Sequence, residues 1–273
     1  MQGIADYEFV HLLGEGGHGS FWLARCPARL SLGLDYVAVK TLAHHGSDAD
    51  FERLSMELQH YSSVTSPRLV QLYEVGLQGD ILYYAAEYFP DGSLTQPARP
   101  FNRASVLAAV ADAALGAHAL HEAGISHRAI KPSNVLIDGP MAKLGDLSLA
   151  QVLSPGQTLT GLENLGSIEF LAPELIQGES GSRATDIWAL GATMHRVLTG
   201  RPIYPSVPDD SPLEALRFLL SQPPTLNDSL RPDEHQVVAA ALATNPLDRP
   251  PTALDFAKMV SDLAHYYAQA EPL

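Results

Sequence analysis

One cysteine in 273 residues, Cys26, rules out an internal disulfide. It reads as a small, partly buried hydrophobe and not as a nucleophile. No run approaches the roughly 18 consecutive apolar residues of a membrane span, and the N-terminal "MQGIADYEF" lacks the basic-then-apolar pattern of a secretory signal. A soluble chain working in the cytoplasm is the expectation. Basic charge is scarce: 17 Lys and Arg stand against 31 Asp and Glu, a formal charge of −14. The imbalance runs along the whole chain, with five basic and eleven acidic residues up to Pro90 and twelve and twenty after it. Such a surface repels phosphate backbones and anionic headgroups, which argues against nucleic acid and against direct membrane contact by this segment. The 11 histidines show no ligand-like spacing, and His44-His45 lies in a polar connector, so no histidine metal site is expected. Internal repeats and low-complexity tracts are also lacking. At 46% hydrophobic and 18% charged residues the chain has ample material for a core, at a size where one bilobal unit or two small domains are expected.

Residues 7–42 read as three strands, "YEFVHLLGEG", "HGSFWLARC" and "DYVAVKTLA", separated by turn-forming Gly and Pro. A helix is expected over "SDADFERLSMELQHYSSV", which opens on Ser and Asp cap candidates and sets Phe51, Leu54 and Leu58 on one face. Two further strand-like runs follow, "LVQLYEVG" and "ILYYAAEYF", before "PDGSL" breaks the chain at 90–94. Beyond that break the composition turns helical. "RASVLAAVADAALGAHALHEAG" is apolar on most faces and so expected to be buried, and "ATDIWALGATMHRVLTG" is stopped by Gly200 and Pro202. The rest reads as helices divided by proline-rich connectors. A strand-rich first third followed by a helical remainder predicts an α+β chain in two lobes.

Several short motifs carry chemistry. "GEGGHGSF" places Gly14, Gly16 and Gly19 as G-x-G-x-x-G between two strands, where missing side chains let backbone amides approach phosphate oxygens. The strand context disfavours the dinucleotide-binding form of this motif, which opens a helix. "VAVK" ends on Lys40, a cation on a buried strand that needs an anionic partner, and Glu57 on the next helix is placed to supply it. Then come "HRAIKPSN" at 127–134, "GDLSL" at 145–149, "APE" at 172–174, "DIWALG" at 186–191 and Arg249 within "NPLDRP".

In this order and spacing the motifs resemble the protein kinase family, specifically Ser/Thr kinases of bacterial type, over roughly residues 7–265. "KPSN" favours the Ser/Thr branch over the tyrosine kinases. The resemblance implies a single bilobal domain over 1–273: a small antiparallel-sheet N-lobe with one main helix at about 7–90, and a larger helical C-lobe at about 91–269. It implies ATP and Mg²⁺ as cofactors. Lys40, oriented by Glu57, would hold the α- and β-phosphates, and Lys131 would neutralise the transferred phosphoryl group. Asn134 and Asp146 would ligate Mg²⁺ as hard oxygen donors. Ala38, Glu87, Phe89 and Leu136 would frame the nucleotide, with Glu87 and Phe89 in the hinge "EYF". Glu174 and Arg249 would form a buried ion pair.

The chain departs from this pattern at three important positions. Ala129 stands where the family keeps the aspartate that orients the substrate hydroxyl and accepts its proton, a contribution of typically ~10²–10⁴-fold. Ser148 replaces the glycine of D-F-G, where glycine permits backbone angles a serine reaches only with strain. Phe21 replaces the usual valine over the adenine, and the small Ala86 before the hinge leaves room for its ring to tilt back. Two prolines in "LTQPARPF" make the helix after the hinge short or absent.

The expected function is therefore a pseudokinase, a regulatory or scaffolding module with weak ATP/Mg²⁺ binding and a protein partner. The alternatives are a Ser/Thr kinase working through a substitute base, and a base-inactivated variant of an ordinary kinase. Thr158 and Thr160, in "SLAQVLSPGQTLTGLENLGSIEF", are candidate phosphate acceptors for another kinase, with Arg128 as the clamp. Because the last motif helix lies close to "AQAEPL", a longer native protein is expected, with membrane anchoring outside this segment among its forms.

Overall fold

The computed structural model describes residues 2–16, 19–45, 48–146, 165–208 and 212–270. Its described residues divide into two compact units, one built from residues up to Thr65 with Val70–Tyr88, the other from Ser66–Leu69 with 89–146 and the described residues from 165 onward.

The first unit is a six-stranded antiparallel sheet in the order β1-β2-β3-β4-β6-β5. Its strands are β1 (Gly3–Ile4), β2 (Tyr7–Gly16), β3 (Gly19–Arg25), β4 (Tyr36–His45), β5 (Leu72–Gln78) and β6 (Ile81–Ala86). Period-two alternation sorts the side chains onto two faces. Ala24, Val37, Val39, Tyr83 and Ala85 bury one face together with Ile4 and Tyr7. The opposite face carries Phe21 and Leu23 of β3, Ala38 and Lys40 of β4, and Tyr84 and Ala86 of β6, in direct cross-strand register. Cys26 packs against the first of these faces, and burial pushes its thiol above the ordinary range. Helix α1 (Asp48–Ser62) packs chiefly on β5. Its buried apolar positions are Leu54, Leu58 and Tyr61, and the Tyr61 hydroxyl donates to the Val70 carbonyl at 3.1 Å. Phe51, expected on that face, is only half-buried. The stripe 54-58-61 advances by i+4 and i+7, and Tyr61 closes it at the strand end.

The second unit is mainly helical: α2 (Arg103–Glu122), α3 (Pro173–Ile176), α4 (Arg183–Thr199), α5 (Pro212–Ser221), α6 (Pro232–Ala241) and α7 (Ala253–Ala270). Asn102 caps α2 by accepting from the Ser105 amide at 2.8 Å. By length and composition α2 is apolar enough to cross a membrane, but Leu107, Val110, Ala113, Ala114, Ala117 and Leu120 are buried inside this unit. Helix α4 opens on a Ser182/Thr185 capping box and ends at Gly200, whose φ of 67° is the left-handed turn that a C-terminal glycine supplies.

One expectation needs correction. The remainder after residue 90 is not only helices: β7 (Val135–Asp138) and β8 (Met141–Leu144) form an antiparallel hairpin packed on α2. Between 90 and 102 there is no helix, as the prolines in "LTQPARPF" predict, only isolated bridges pairing Gly92 with Pro97 and Ser93 with Leu136. Residues 66–69 belong to this unit because Arg68 reaches Asp112 of α2 at 2.9 Å and its carbonyl accepts from the Leu144 amide at 2.9 Å. Gly116 permits that approach, since a Cβ there would fall 2.6 Å from the Arg68 carbonyl oxygen.

Candidate functional site: a glycine hairpin and a catalytic-type loop

In the first unit, register places Gly14 opposite Phe21, Phe21 opposite Lys40 and Lys40 opposite Tyr84, in one row across four strands. The β2–β3 hairpin closes with Gly16 paired to Gly19. Its glycines differ in why they are needed. At Gly19 φ is 123°, and a Cβ would meet the Thr41 carbonyl oxygen at 1.9 Å, so the fold itself demands glycine there. At Gly14 a Cβ would meet nothing within 4 Å, leaving open space above the backbone.

Lys40 is buried, its ammonium 4.8 Å from the centroid of the Phe21 ring and 6.0 Å from that of Tyr84. Phe21 and Tyr84 meet edge-on, with centroids 6.2 Å apart and planes at 83°. The ring therefore leans along its own row toward Lys40 and Tyr84. The expected Lys40–Glu57 ion pair is not formed among the described residues. Glu57 is half-buried on a helix that packs chiefly on β5, not on the Lys40 strand. Ala38 and Ala86, opposite each other on β4 and β6, are both buried. The Glu87 amide donates to the Gln71 carbonyl at 2.9 Å, extending the β5–β6 pairing. Phe89 begins the second unit, buried, with the Lys143 ammonium 5.5 Å from its ring centroid. Leu136 is half-buried on β7.

In the second unit the loop 127–134 is fixed from several sides. His127 is fully buried, its Nε2 at 3.1 Å from the Gly145 carbonyl oxygen and its Nδ1 at 3.3 Å from the Ala129 amide. A carbonyl requires a donor and an amide an acceptor, so the imidazole is neutral with its proton on Nε2. Burial likewise pushes its pKa down. Asn134 donates through Nδ2 to the Ala129 carbonyl at 2.8 Å and, more weakly, to the Asp146 carbonyl at 3.4 Å. Both partners are acceptors, which identifies the amide nitrogen and leaves Oδ1 as an acceptor oxygen, 3.2 Å from the Ser133 hydroxyl. Lys131 is half-buried and its carbonyl accepts from the Asn134 amide at 2.9 Å. Arg128 and Asp146 hold φ of 64° and 56°, left-handed values uncommon outside glycine, and such positions cluster at functional sites. The loop thus brings Ala129, Lys131, Asn134 and Asp146 into one cluster.

One residue of this site was not assigned a role from sequence. Asp186, fully buried at the start of α4, accepts from the His127 amide at 2.7 Å, the Arg128 amide at 2.8 Å and His121 Nε2 at 2.8 Å. The signal was present in "ATDIWALG": an acidic residue in an apolar, buried helix must find donors. The expected Glu174–Arg249 pair is present and bidentate, at 2.6 and 2.9 Å. The expectations on Ser148, Thr158 and Thr160 fall outside the described residues.

Among the described residues no group of three or more His, Cys, Asp or Glu side chains can hold a metal ion. Asn134 and Asp146 carry hard oxygen donors, the type that would hold Mg²⁺ if it were bound here.

Residues 7–261 match the protein kinase domain. The serine/threonine-protein kinase PrkC of Bacillus subtilis is 32% identical over 91% of this chain and 39% of its own length. PknB of Mycobacterium tuberculosis is 31% identical over 97% of this chain and 44% of its own. Among solved structures, a cysteine-to-alanine mutant of the PknI kinase domain of Mycobacterium tuberculosis superposes with a TM-score of 0.69 at 25% identity, covering 97% of this chain and 98% of that one. The chain belongs to the protein kinase family, as a Ser/Thr protein kinase domain of bacterial type. It spans less than half the length of these two curated relatives.

Proposed function

We propose that this domain is a pseudokinase, a cytoplasmic regulatory or scaffolding module for a protein partner that binds MgATP weakly and transfers phosphate slowly or not at all. The observation that carries this reading is the methyl group of Ala129 at the base position of an otherwise assembled loop. Losing a general base costs ~10²–10⁴-fold, or about 3–5 kcal/mol of barrier. From the roughly 1–100 s⁻¹ of ordinary kinases, turnover falls to about 10⁻⁴–1 s⁻¹. Lys40 and Lys131 would meet the phosphates, Asn134 and Asp146 the metal, and the open backbone at Gly14 the phosphate oxygens.

The intact scaffold around residue 129 supports a second reading, a base-inactivated form of an active Ser/Thr kinase. Radiolabelled ATP with a basic protein acceptor separates the two. The pseudokinase reading expects turnover far below 1 s⁻¹ in the parent and little recovery in Ala129→Asp, because Ser148 and Phe21 remain. Recovery to an ordinary kinase rate would establish the second reading, and turnover near 1 s⁻¹ in the parent would overturn the first.

Thr158 and Thr160 are proposed acceptors for another kinase. Supporting this, the Arg128 Nε is buried without a hydrogen-bond partner among the described residues, a donor suited to a phosphate. Mass spectrometry after incubation with an active kinase should find the modification between 148 and 170.

A further inference from the structure

The row Gly14–Phe21–Lys40–Tyr84 sets an aromatic ring against the cation expected to meet phosphate. We infer that Phe21 is a built-in competitor for the Lys40 ammonium: its ring holds the cation by a cation–π contact, and an incoming polyphosphate must displace it. This deepens the nucleotide-binding reading above and rests on it.

The geometry has three parts. The cross-strand pairing of Phe21 with Lys40 fixes the ring and the ammonium on the same sheet face. The centroid distance of 4.8 Å lies well inside the roughly 6 Å reach of a cation–π contact. Tyr84, on the neighbouring strand, meets the Phe21 ring edge-on and is itself 3% exposed, so the ring is backed by a fixed wall. Lys40 is 6% exposed, and a desolvated cation gains more from an aromatic face than an exposed one.

A ring that merely crowds the adenine would obstruct the base and spare the phosphates. A ring that holds Lys40 obstructs the phosphates whatever base they carry. The two are separable by comparing MgATP with magnesium tripolyphosphate, which has no adenine. Phe21→Leu keeps an apolar side chain but removes the π face, and Phe21→Val removes more bulk. Competition for Lys40 predicts that both variants bind both ligands more tightly, by roughly 5- to 30-fold.

A second readout needs no ligand. The chain has four lysines, Lys40, Lys131, Lys143 and Lys258, so their ε-methylene NMR signals are readily assigned by substitution. In the parent the Lys40 ε signal should be shifted upfield by the ring currents, and Phe21→Leu should return it most of the way to the ordinary lysine position. Three results would overturn the inference: an unshifted Lys40 signal, an affinity gain for MgATP that tripolyphosphate does not share, or parent-like affinity for both ligands in Phe21→Leu. If neither ligand binds the parent or either variant, the competition is refuted and the nucleotide reading fails with it. Binding of MgATP to the parent with no response to Phe21→Leu refutes the competition alone.

Discussion

His127 and His195 are both fully buried, and for each burial is the largest cause of a lowered pKa, reaching about 4 for His195. The His195 Nε2 accepts from the Asn227 amide at 3.0 Å, a role open to the imidazole only when that nitrogen is unprotonated. The unfolded chain protonates near pH 6.5 and the folded one only near 4. Stability is therefore complete above pH 6.5 and lost as pH falls between those values. The loss from His195 alone amounts to roughly 2 kcal/mol by pH 5 and about 3 kcal/mol at the lower limit. Urea unfolding at pH 7.5 and pH 5 should show it, and His195→Gln, whose Oε1 still accepts from Asn227, should flatten the difference. Equal pH dependence in parent and variant would contradict the assignment. Neither histidine was legible as a titrating group from sequence, because spacing marks a motif but not the burial that shifts a pKa. Ala129, by contrast, stands out in the sequence only when "HRAIKPSN" is set beside the family's catalytic-loop motif.

At the scale of elements, long periodic segments were readable and short or tertiary-determined ones were not. Strand β2 coincides with "YEFVHLLGEG", and α4 ends where Gly200 predicts. The β7–β8 hairpin went unseen because four-residue strands are too short to show a period, and the Lys40–Glu57 pair was inferred from spacing, which does not reveal that α1 packs chiefly on β5. The β2–β3 hairpin separates two roles of glycine. Gly19→Ala forces a Cβ to 1.9 Å from the Thr41 carbonyl oxygen at a φ of 123°, so it should lower the melting temperature markedly. Gly14→Ala meets open space and should leave the melting temperature almost unchanged while weakening MgATP binding. A thermally neutral Gly19→Ala would refute the first statement, and MgATP affinity unchanged in Gly14→Ala would remove Gly14 from the phosphate cradle.

The Glu174–Arg249 pair joins α3 to the segment before α7. Arg249 also donates to the Ala243 carbonyl at 2.9 Å and the Ala184 carbonyl at 2.8 Å, and its guanidinium lies 5.1 Å from the Trp188 ring centroid. It thereby satisfies acceptors on three segments at once. Arg249→Ala leaves the Glu174 carboxylate buried without its partner, at a cost of ~3–5 kcal/mol. Arg249→Lys keeps the charge but not the fork and should fall between the parent and the alanine variant. Chemical denaturation would measure both, and a loss under about 1 kcal/mol for the alanine variant would contradict a buried-pair role. This pair was legible from "APE" and "NPLDRP" only through the family resemblance, since 75 residues separate its members.

For the whole molecule the central question is whether machinery held by two units acts on one ligand. Gly14, Lys40 and Phe21 lie in the first unit, and Lys131, Asn134 and Asp146 in the second. A ligand at about 100 times its Kd stabilises a fold by ~2.7 kcal/mol, which for a chain of this size raises the melting temperature by roughly 5–10 °C. Millimolar MgATP should produce such a shift, and Phe21→Val should enlarge it. Lys40→Met should reduce it by removing the first unit's cation, and Asp146→Asn should reduce the contribution of Mg²⁺ while leaving any metal-free binding in place. Loss in both variants would mean that each unit contributes to one binding event. Loss in Lys40→Met alone would assign the ligand to the glycine hairpin without the metal pair. A melting temperature unmoved by MgATP in both the parent and Phe21→Val would leave the kinase motifs without a nucleotide to serve, and the domain would then act as a nucleotide-free docking module.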